Sequence, residues 1–302
     1  MALHDEGAYC EGTPGNLSCT LDSHSERHLP RIEILAFIDP LCPDCWGFEP
    51  LIKKFFVEYH KYFTFRFLMT TKHDTKNLCQ FHQAKKIAEE WDRTSQLTGM
   101  CCDSDVWFEN PPSPYAVAIA VKAAGFQGQN AGNRFLRRIR EQIFLEKKGM
   151  NDFDELRAVA KMAGLNLNEF ENDFRSCRSV KALQSDRRLA NELSITELPS
   201  LVFSTLCSDR EAVKVNGRYE YSVYVQILTD LLGETPYPAV RPSLTHYFKD
   251  QLYLTTKEVA VVFDWPEEEA LKELRKLQLQ QIIAPVALKS GTFWRYITTE
   301  AE

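Results

Sequence analysis

The chain is predicted to be an α/β protein, and three observations in its first seventy residues predict it. Arg31-Ile-Glu-Ile-Leu-Ala-Phe-Ile38 is a short, largely apolar run of the buried-strand kind. Asp39-Pro40 breaks that run and Cys42-Pro43-Asp44-Cys45 follows, after which Trp46, Phe48, Leu51, Ile52, Phe55 and Phe56 recur at helical spacing. Phe63-Thr-Phe-Arg-Phe-Leu-Met69 then reads as a second strand. Strand, C-x-x-C, helix and strand in that order open a thioredoxin-like βαβ unit.

The remaining elements follow along the chain. Residues 1–30 mix Gly, Ser, Thr, Asp and His with no apolar period and read as a flexible N-terminal tail. Residues from about 73 to 193 form a helical insertion, with helices expected over 80–91, 115–124, 133–148, 152–163, 168–174 and 180–193. Ser113-Pro114 caps the second of these, Gly125 stops it, and Phe135, Ile139 and Ile143 mark the buried face of the third. The strand scaffold resumes over 198–203 and 213–219, where Asn216-Gly217 reads as a hairpin turn. A terminal helix over 223–232 ends at Gly233 and closes a domain spanning 31–233. Residues 234–302 make a small C-terminal domain that opens with the proline-rich linker Glu234-Thr-Pro-Tyr-Pro-Ala-Val-Arg-Pro242. In it, Thr255-Thr256 caps a helix through Phe263, Pro266 starts another, and a hairpin turns at Lys289-Ser290-Gly291. Two short helices and a hairpin suggest a winged-helix-like module.

Composition narrows the function classes. The 302 residues are 44% hydrophobic and 12% aromatic, enough for a sizeable core, and the net charge of −6 gives no general attraction to nucleic acid or anionic membrane. Residues 235–302 carry nine acids against eight bases, so protein contact is favoured over DNA for that module. No apolar run approaches the ~20 residues of a membrane span. The segment 1–30 holds Asp5, Glu6, Glu11, Asp22 and Glu26 against Arg27 alone, unlike a secretory signal, and a cytoplasmic location is expected. Nine cysteines with one tight pair do not resemble a secreted disulfide framework. Cys79, Cys177 and Cys207 are expected as small buried or half-buried hydrophobes.

The chemistry centres on Cys42 and Cys45. A cysteine at a helix start meets unpaired N–H groups and the positive end of the dipole, both of which favour thiolate. Pro43 fixes the helix entry without losing a needed donor. Cys45, one turn in, is expected to be more buried and to act as the resolving thiol. Asp44 is negative and adjacent, so it opposes the dipole and should make the pair a weaker oxidant. Pro199, opening a strand after the insertion, is the expected cis-proline that aims the Leu198 backbone at the pair. Cys42, Cys45 and Pro199 are therefore the redox candidates, with an idle, retained pair as the bland alternative. A zinc site at the pair lacks its second C-x-x-C, and the spacing of Cys101-Cys102 does not supply one. His4, Cys10, Cys19, His24 and His28 fit no standard zinc-finger spacing. No metal and no cofactor is expected.

Ile38-Asp39-Pro40-Leu41-Cys42-Pro43-Asp44-Cys45-Trp46 resembles the opening motif of the YjbH (SpxH) family of Firmicute proteins, which is related to DsbA-type thioredoxin folds. Asp105-Val-Trp-Phe108, Ser113-Pro-Tyr115, Val180-Lys-Ala-Leu-Gln184 and Gly291-Thr-Phe-Trp294 extend the resemblance over about residues 31–300. It implies an adaptor that binds the regulator Spx and promotes its degradation by ClpXP, reaching the protease only indirectly; on the charge and hydropathy above, neither nucleic acid nor membrane is an expected partner. A cytosolic thiol–disulfide oxidoreductase using Cys42 and Cys45 is the alternative reading.

Overall fold

Alternation along the first strand sets the architecture. The computed structural model describes residues 32–71, 81–206, 211–288 and 291–297. In β1 (Ile32–Ile38), Ile34 and Ala36 point to one face of a sheet while Leu35 and Phe37 point to the other, so both faces need cover. The helix expected from the cysteines is split into α1 (Pro43–Gly47) and α2 (Glu49–Tyr59). Pro50 has no N–H to donate to the Trp46 carbonyl, and the chain bends at Phe48 for that reason. A single 3-10 turn, His60–Tyr62, leads into β2 (Phe63–Met69).

Among the described residues seven helices follow: α3 (Phe81–Thr98), α4 (Val106–Glu109), α5 (Pro114–Gly125), α6 (Gln129–Phe144), α7 (Phe153–Met162), α8 (Leu167–Arg175) and α9 (Cys177–Glu192). Ser113 caps α5 through its hydroxyl, and Phe135, Ile139 and Ile143 are fully buried, as the sequence indicates. Helix α6 starts four residues earlier than its apolar period suggests. Gly128, at φ +112°, ends the turn after α5 and lets the next helix begin at once, while Lys147 and Met150 at positive φ unwind its far end. Close approach of α5 and α6 rests on Gly132, where a Cβ would lie 2.9 Å from the Gly125 Cα.

The scaffold is completed by β3 (Ser200–Thr205), β4 (Val213–Asn216) and α10 (Tyr221–Leu232), which Gly233 ends in the left-handed conformation. The sheet runs β2-β1-β3-β4, with β1 parallel to β2 and the other pairs antiparallel. Asn216-Gly217 does not turn a hairpin. It ends β4, and the Gly217 N–H donates to the Pro199 carbonyl at 2.8 Å. Helices α2 and α10 cover the Ile34 face with Phe55, Phe56, Tyr224 and Leu228, and the seven-helix insertion covers the Phe37 face.

Residues beyond Gly233 add α11 (Leu244–Gln251), β5 (Tyr253–Thr255), α12 (Thr256–Phe263), α13 (Glu267–Leu279), β6 (Ile283–Leu288) and β7 (Gly291–Tyr296), with an antiparallel sheet in the order β5-β7-β6. Thr255 and Glu258 form a reciprocal capping box at α12. The segment before α11 is pinned rather than free. Ala239 N–H donates to the Glu58 carbonyl at 2.7 Å, and Arg241 pairs with Glu58 and with Asp264. Val57 of α2 belongs to the core of this C-terminal unit, alongside Tyr247, Phe248 and Trp294. Among the described residues, no helix is long and apolar enough to cross a membrane.

Candidate functional site

The turn leaving β1 is built to present the cysteine pair. Asp39 is buried and its Oδ1 accepts from the Leu41 N–H at 2.8 Å, while its carbonyl accepts from the Cys42 N–H at 3.1 Å. Arg140 of α6 donates to the Pro40 and Asp39 carbonyls, each at 3.3 Å, and holds the turn from the insertion side. Cys42 is the N-cap of α1, with extended backbone, and its Sγ accepts from the Cys45 N–H at 3.4 Å. Pro43 occupies the first turn. This is the arrangement in which a thiol takes the place of a capping hydroxyl at the positive end of a helix.

Both thiols are enclosed, Cys42 at 5% exposure and Cys45 at 1%. Burial, then its hydrogen bond with Cys42, pushes the Cys45 thiol well above its ordinary pKa, and Arg140 only partly offsets this. Asp44 does not stand as an isolated charge beside the pair. Its carboxylate meets the Arg218 guanidinium at 3.2 Å, so the negative field expected from the sequence is largely answered by a cation from the connection that follows β4.

Pro199 follows a cis Leu198–Pro199 peptide bond. Ser200 pairs with Phe37, which sets Pro199 beside the end of β1, where the turn to Cys42 begins. Leu198 shares a buried cluster with Cys42 and Cys45. The three residues singled out from the sequence thus lie at one end of the sheet.

Trp46, next in the chain, ties that end to everything around it. Its indole N–H donates to the Cys101 carbonyl at 2.9 Å, its ring stacks with Phe144 of α6 and Phe293 of β7, and the Arg137 guanidinium lies 4.7 Å from its centroid. Below it lies a buried charge cluster. Glu258 accepts from Lys53 at 2.6 Å and from Arg137 at 2.9 Å, and Arg137 also meets Glu49 and Glu141. Burial alone would raise the pKa of Glu258, but Arg137 and Lys53 overcome it and hold the carboxyl down at about 2. These residues join α2, α6 and α12, and none was singled out from the sequence. The run Arg137-Arg138-Ile-Arg140-Glu141 looks like a solvated helix face, and only the Thr255-x-x-Glu258 box marks one member.

Cys177 is exposed, not buried as expected of a small hydrophobe. It sits at the first position of α9, just past the Ser176 cap, where the helix has not yet turned a face to the core. Cys102 is buried and its thiol is pushed up to about 12 by that burial. Trp107, Tyr247 and Trp294 are core, whereas Phe108 is about half exposed. Among the described residues, no group of three or more His, Cys, Asp or Glu side chains is placed to hold a metal ion. Cys10, Cys19, Cys79, Cys207 and the tail histidines His4, His24 and His28 lie outside the described residues.

Comparison with known proteins fits this geometry. A thioredoxin family model matches residues 35–226, about two thirds of the chain. The ClpXP adapter protein SpxH of Halalkalibacterium halodurans is 41% identical over 305 residues, covering 98% of this chain and 100% of that protein. The protein of the same name from Bacillus subtilis is 38% identical, covering 93% and 94%. Among solved structures, a putative protein disulfide isomerase from Nitrosomonas europaea superposes with a TM-score of 0.56 at 18% identity, covering 67% of this chain and 96% of that one. A probable DsbA oxidoreductase from Streptomyces coelicolor gives 0.50 at 18% identity, covering 70% and 94%. These likenesses establish a thioredoxin-like fold of the DsbA type.

Proposed function

The chain belongs to the SpxH family of ClpXP adapter proteins, and from that premise we propose that it binds the regulator Spx in the cytoplasm and promotes its degradation by ClpXP. One observation carries this reading. The solved oxidoreductase-type structures match about two thirds of the chain, whereas the adapter relatives match it almost from end to end, C-terminal unit included. The part of the chain that distinguishes it from an oxidoreductase is the part it shares with adapters. We read residues 31–233 as the DsbA-like domain, 73–193 as its helical insertion, and 234–302 as a small winged-helix-like domain that contributes to protein contact. Its near-balanced charge supports protein over nucleic acid as its partner.

The test is degradation of Spx by purified ClpXP with and without the chain. Acceleration of tenfold or more is expected, with Spx binding measurable in the absence of protease. An unchanged degradation rate at a saturating concentration of the chain would overturn the adaptor reading.

The placement of Cys42 as a helix cap favours a second reading, a cytoplasmic thiol–disulfide oxidoreductase with Cys42 attacking and Cys45 resolving, near Pro199. The enclosure of both thiols weighs against direct attack on a protein disulfide. Insulin reduction separates the two readings: turnover abolished by Cys42→Ala supports the enzyme, and no turnover leaves the adaptor alone.

A further inference from the structure

Among the described residues, strand β2 is an edge of the four-stranded sheet. Past its end, the Thr70 N–H donates to the Ile38 carbonyl at 2.8 Å, so even-numbered residues turn their backbone groups toward β1. Odd-numbered residues turn theirs outward. Two of the outward groups are met from within the chain. The Gln129 side-chain amide donates to the Phe65 carbonyl, and Asp186 accepts from the Met69 N–H at 2.7 Å. Between them lies Phe67, whose outward N–H and C=O meet no partner among the described residues.

A cavity of about 220 Å³ opens beside Phe67, bounded by Leu68, Lys122, Gly125, Gln129 and Asn133. Asn133 is 9% exposed, and its Nδ2 has no hydrogen-bond partner. A buried amide donor left unpaired is unfavourable, and here it borders a cavity large enough to bring an acceptor to it. The cations at the rim are already matched: Lys122 pairs with Asp186 at 2.7 Å and Arg66 with Glu33 at 3.3 Å. The site therefore asks for neutral hydrogen-bonding groups rather than an anion.

We propose that this cavity is a docking site for one short extended segment of the client protein, added to β2 as a strand. The client residue opposite Phe67 exchanges N–H and C=O with it, and a neighbouring client carbonyl accepts from Asn133 Nδ2. An extended backbone is the occupant because a helix spends its own N–H and C=O groups internally. Gln129 and Asp186 cap the strand on either side of Phe67, which limits the added segment to two or three residues. The proposal deepens the adaptor reading and rests on it for the identity of the client.

The test uses the full chain with ¹⁵N-phenylalanine labelling and Spx as the probe. Saturating Spx is expected to slow exchange of the Phe67 amide at least tenfold. Gly125 lines the cavity and a Cβ added there meets nothing within 4 Å, so Gly125→Leu starts into open space and is the variant chosen to fill it. It is expected to weaken Spx binding at least tenfold with the melting temperature unchanged, and Asn133→Leu to weaken it in the same direction. Equal affinity of wild type and Gly125→Leu for Spx, with Phe67 exchange unaltered, overturns the docking site and leaves the adaptor reading intact. Failure of the wild-type chain to bind Spx at all overturns both.

Discussion

Replacing Glu258 with glutamine tests how the C-terminal unit is fastened to the thioredoxin-like scaffold. The carboxylate is fully buried and accepts from Lys53 Nζ at 2.6 Å, from Arg137 at 2.9 Å and 3.3 Å, and from the Thr255 N–H at 2.7 Å. Its pKa stands at about 2 against an ordinary 4.5. At about 1.36 kcal/mol per pH unit, that gap favours the ionised form by about 3 kcal/mol. The net contribution of the cluster is smaller, because burial and then Arg137 hold the pKa of Lys53 below its usual value. Glu258→Gln nevertheless leaves two buried cations facing a neutral amide, and removing one partner of a buried pair costs about 3–5 kcal/mol. For a chain of 302 residues that corresponds to a fall in melting temperature of about 5–8 °C, measured by calorimetry at neutral pH. Pairing Glu258→Gln with Lys53→Met should cost less than the sum of the two single changes. The pKa of Glu258 is lower folded than unfolded, so its contribution is complete above about pH 4.5 and is lost as pH falls toward 2. The difference between wild type and Glu258→Gln should shrink over that window. A variant melting within about 2 °C of wild type at neutral pH would refute the fastening role.

Two further outcomes follow from burial and close packing. Alkylation of the native chain at about pH 7.5 should modify exposed Cys177 well before Cys45 and Cys102, whose thiols are enclosed and held protonated; peptide mass spectrometry showing Cys45 modified as fast as Cys177 would contradict the enclosure. Gly132→Ala should destabilise by about 1–3 kcal/mol in denaturant titration, because its Cβ would press on the Gly125 backbone and overpacking outweighs the gain in helix propensity; an equally stable variant would mean that α5 and α6 cross more loosely than described.

What the sequence made legible was local. The apolar run of β1, the Ser113-Pro114 cap, the Thr255 box and the C-x-x-C at a helix start each depend on neighbours a few residues away, and each is found where the residues put it. Helix α11 and strand β5 escaped because both are short: Leu244, Tyr247 and Phe248 span barely two turns, β5 has three residues, and both elements pack in one cluster with Val57 and Trp294. The same holds at the site. Asp44 was legible as a charge beside Cys42, but its partner Arg218, in the connection between β4 and α10, is distant in sequence and arrives only through the fold. Asn216-Gly217 carried a genuine turn signal and was assigned the wrong turn, because the chain reverses before β4 and not after it.

The position of Trp46 bears on why an adaptor keeps a C-x-x-C. Cys45 and Trp46 are consecutive in one short helix, and the Trp46 ring touches the insertion through Phe144 and the C-terminal unit through Phe293. The adjoining Arg137–Glu258–Lys53 cluster links α6, α12 and α2 in the same region. The capping thiol of Cys42 therefore belongs to the packing that holds three parts of the chain together, whether or not it ever exchanges a disulfide. A substitution there should be read first as a change to a helix N-terminus at a structural junction. For this reason a loss of adaptor activity in Cys42→Ala speaks for redox chemistry only if Cys42→Ser, which keeps a capping oxygen, fails to restore it. Restoration by serine would assign the cysteine to the scaffold.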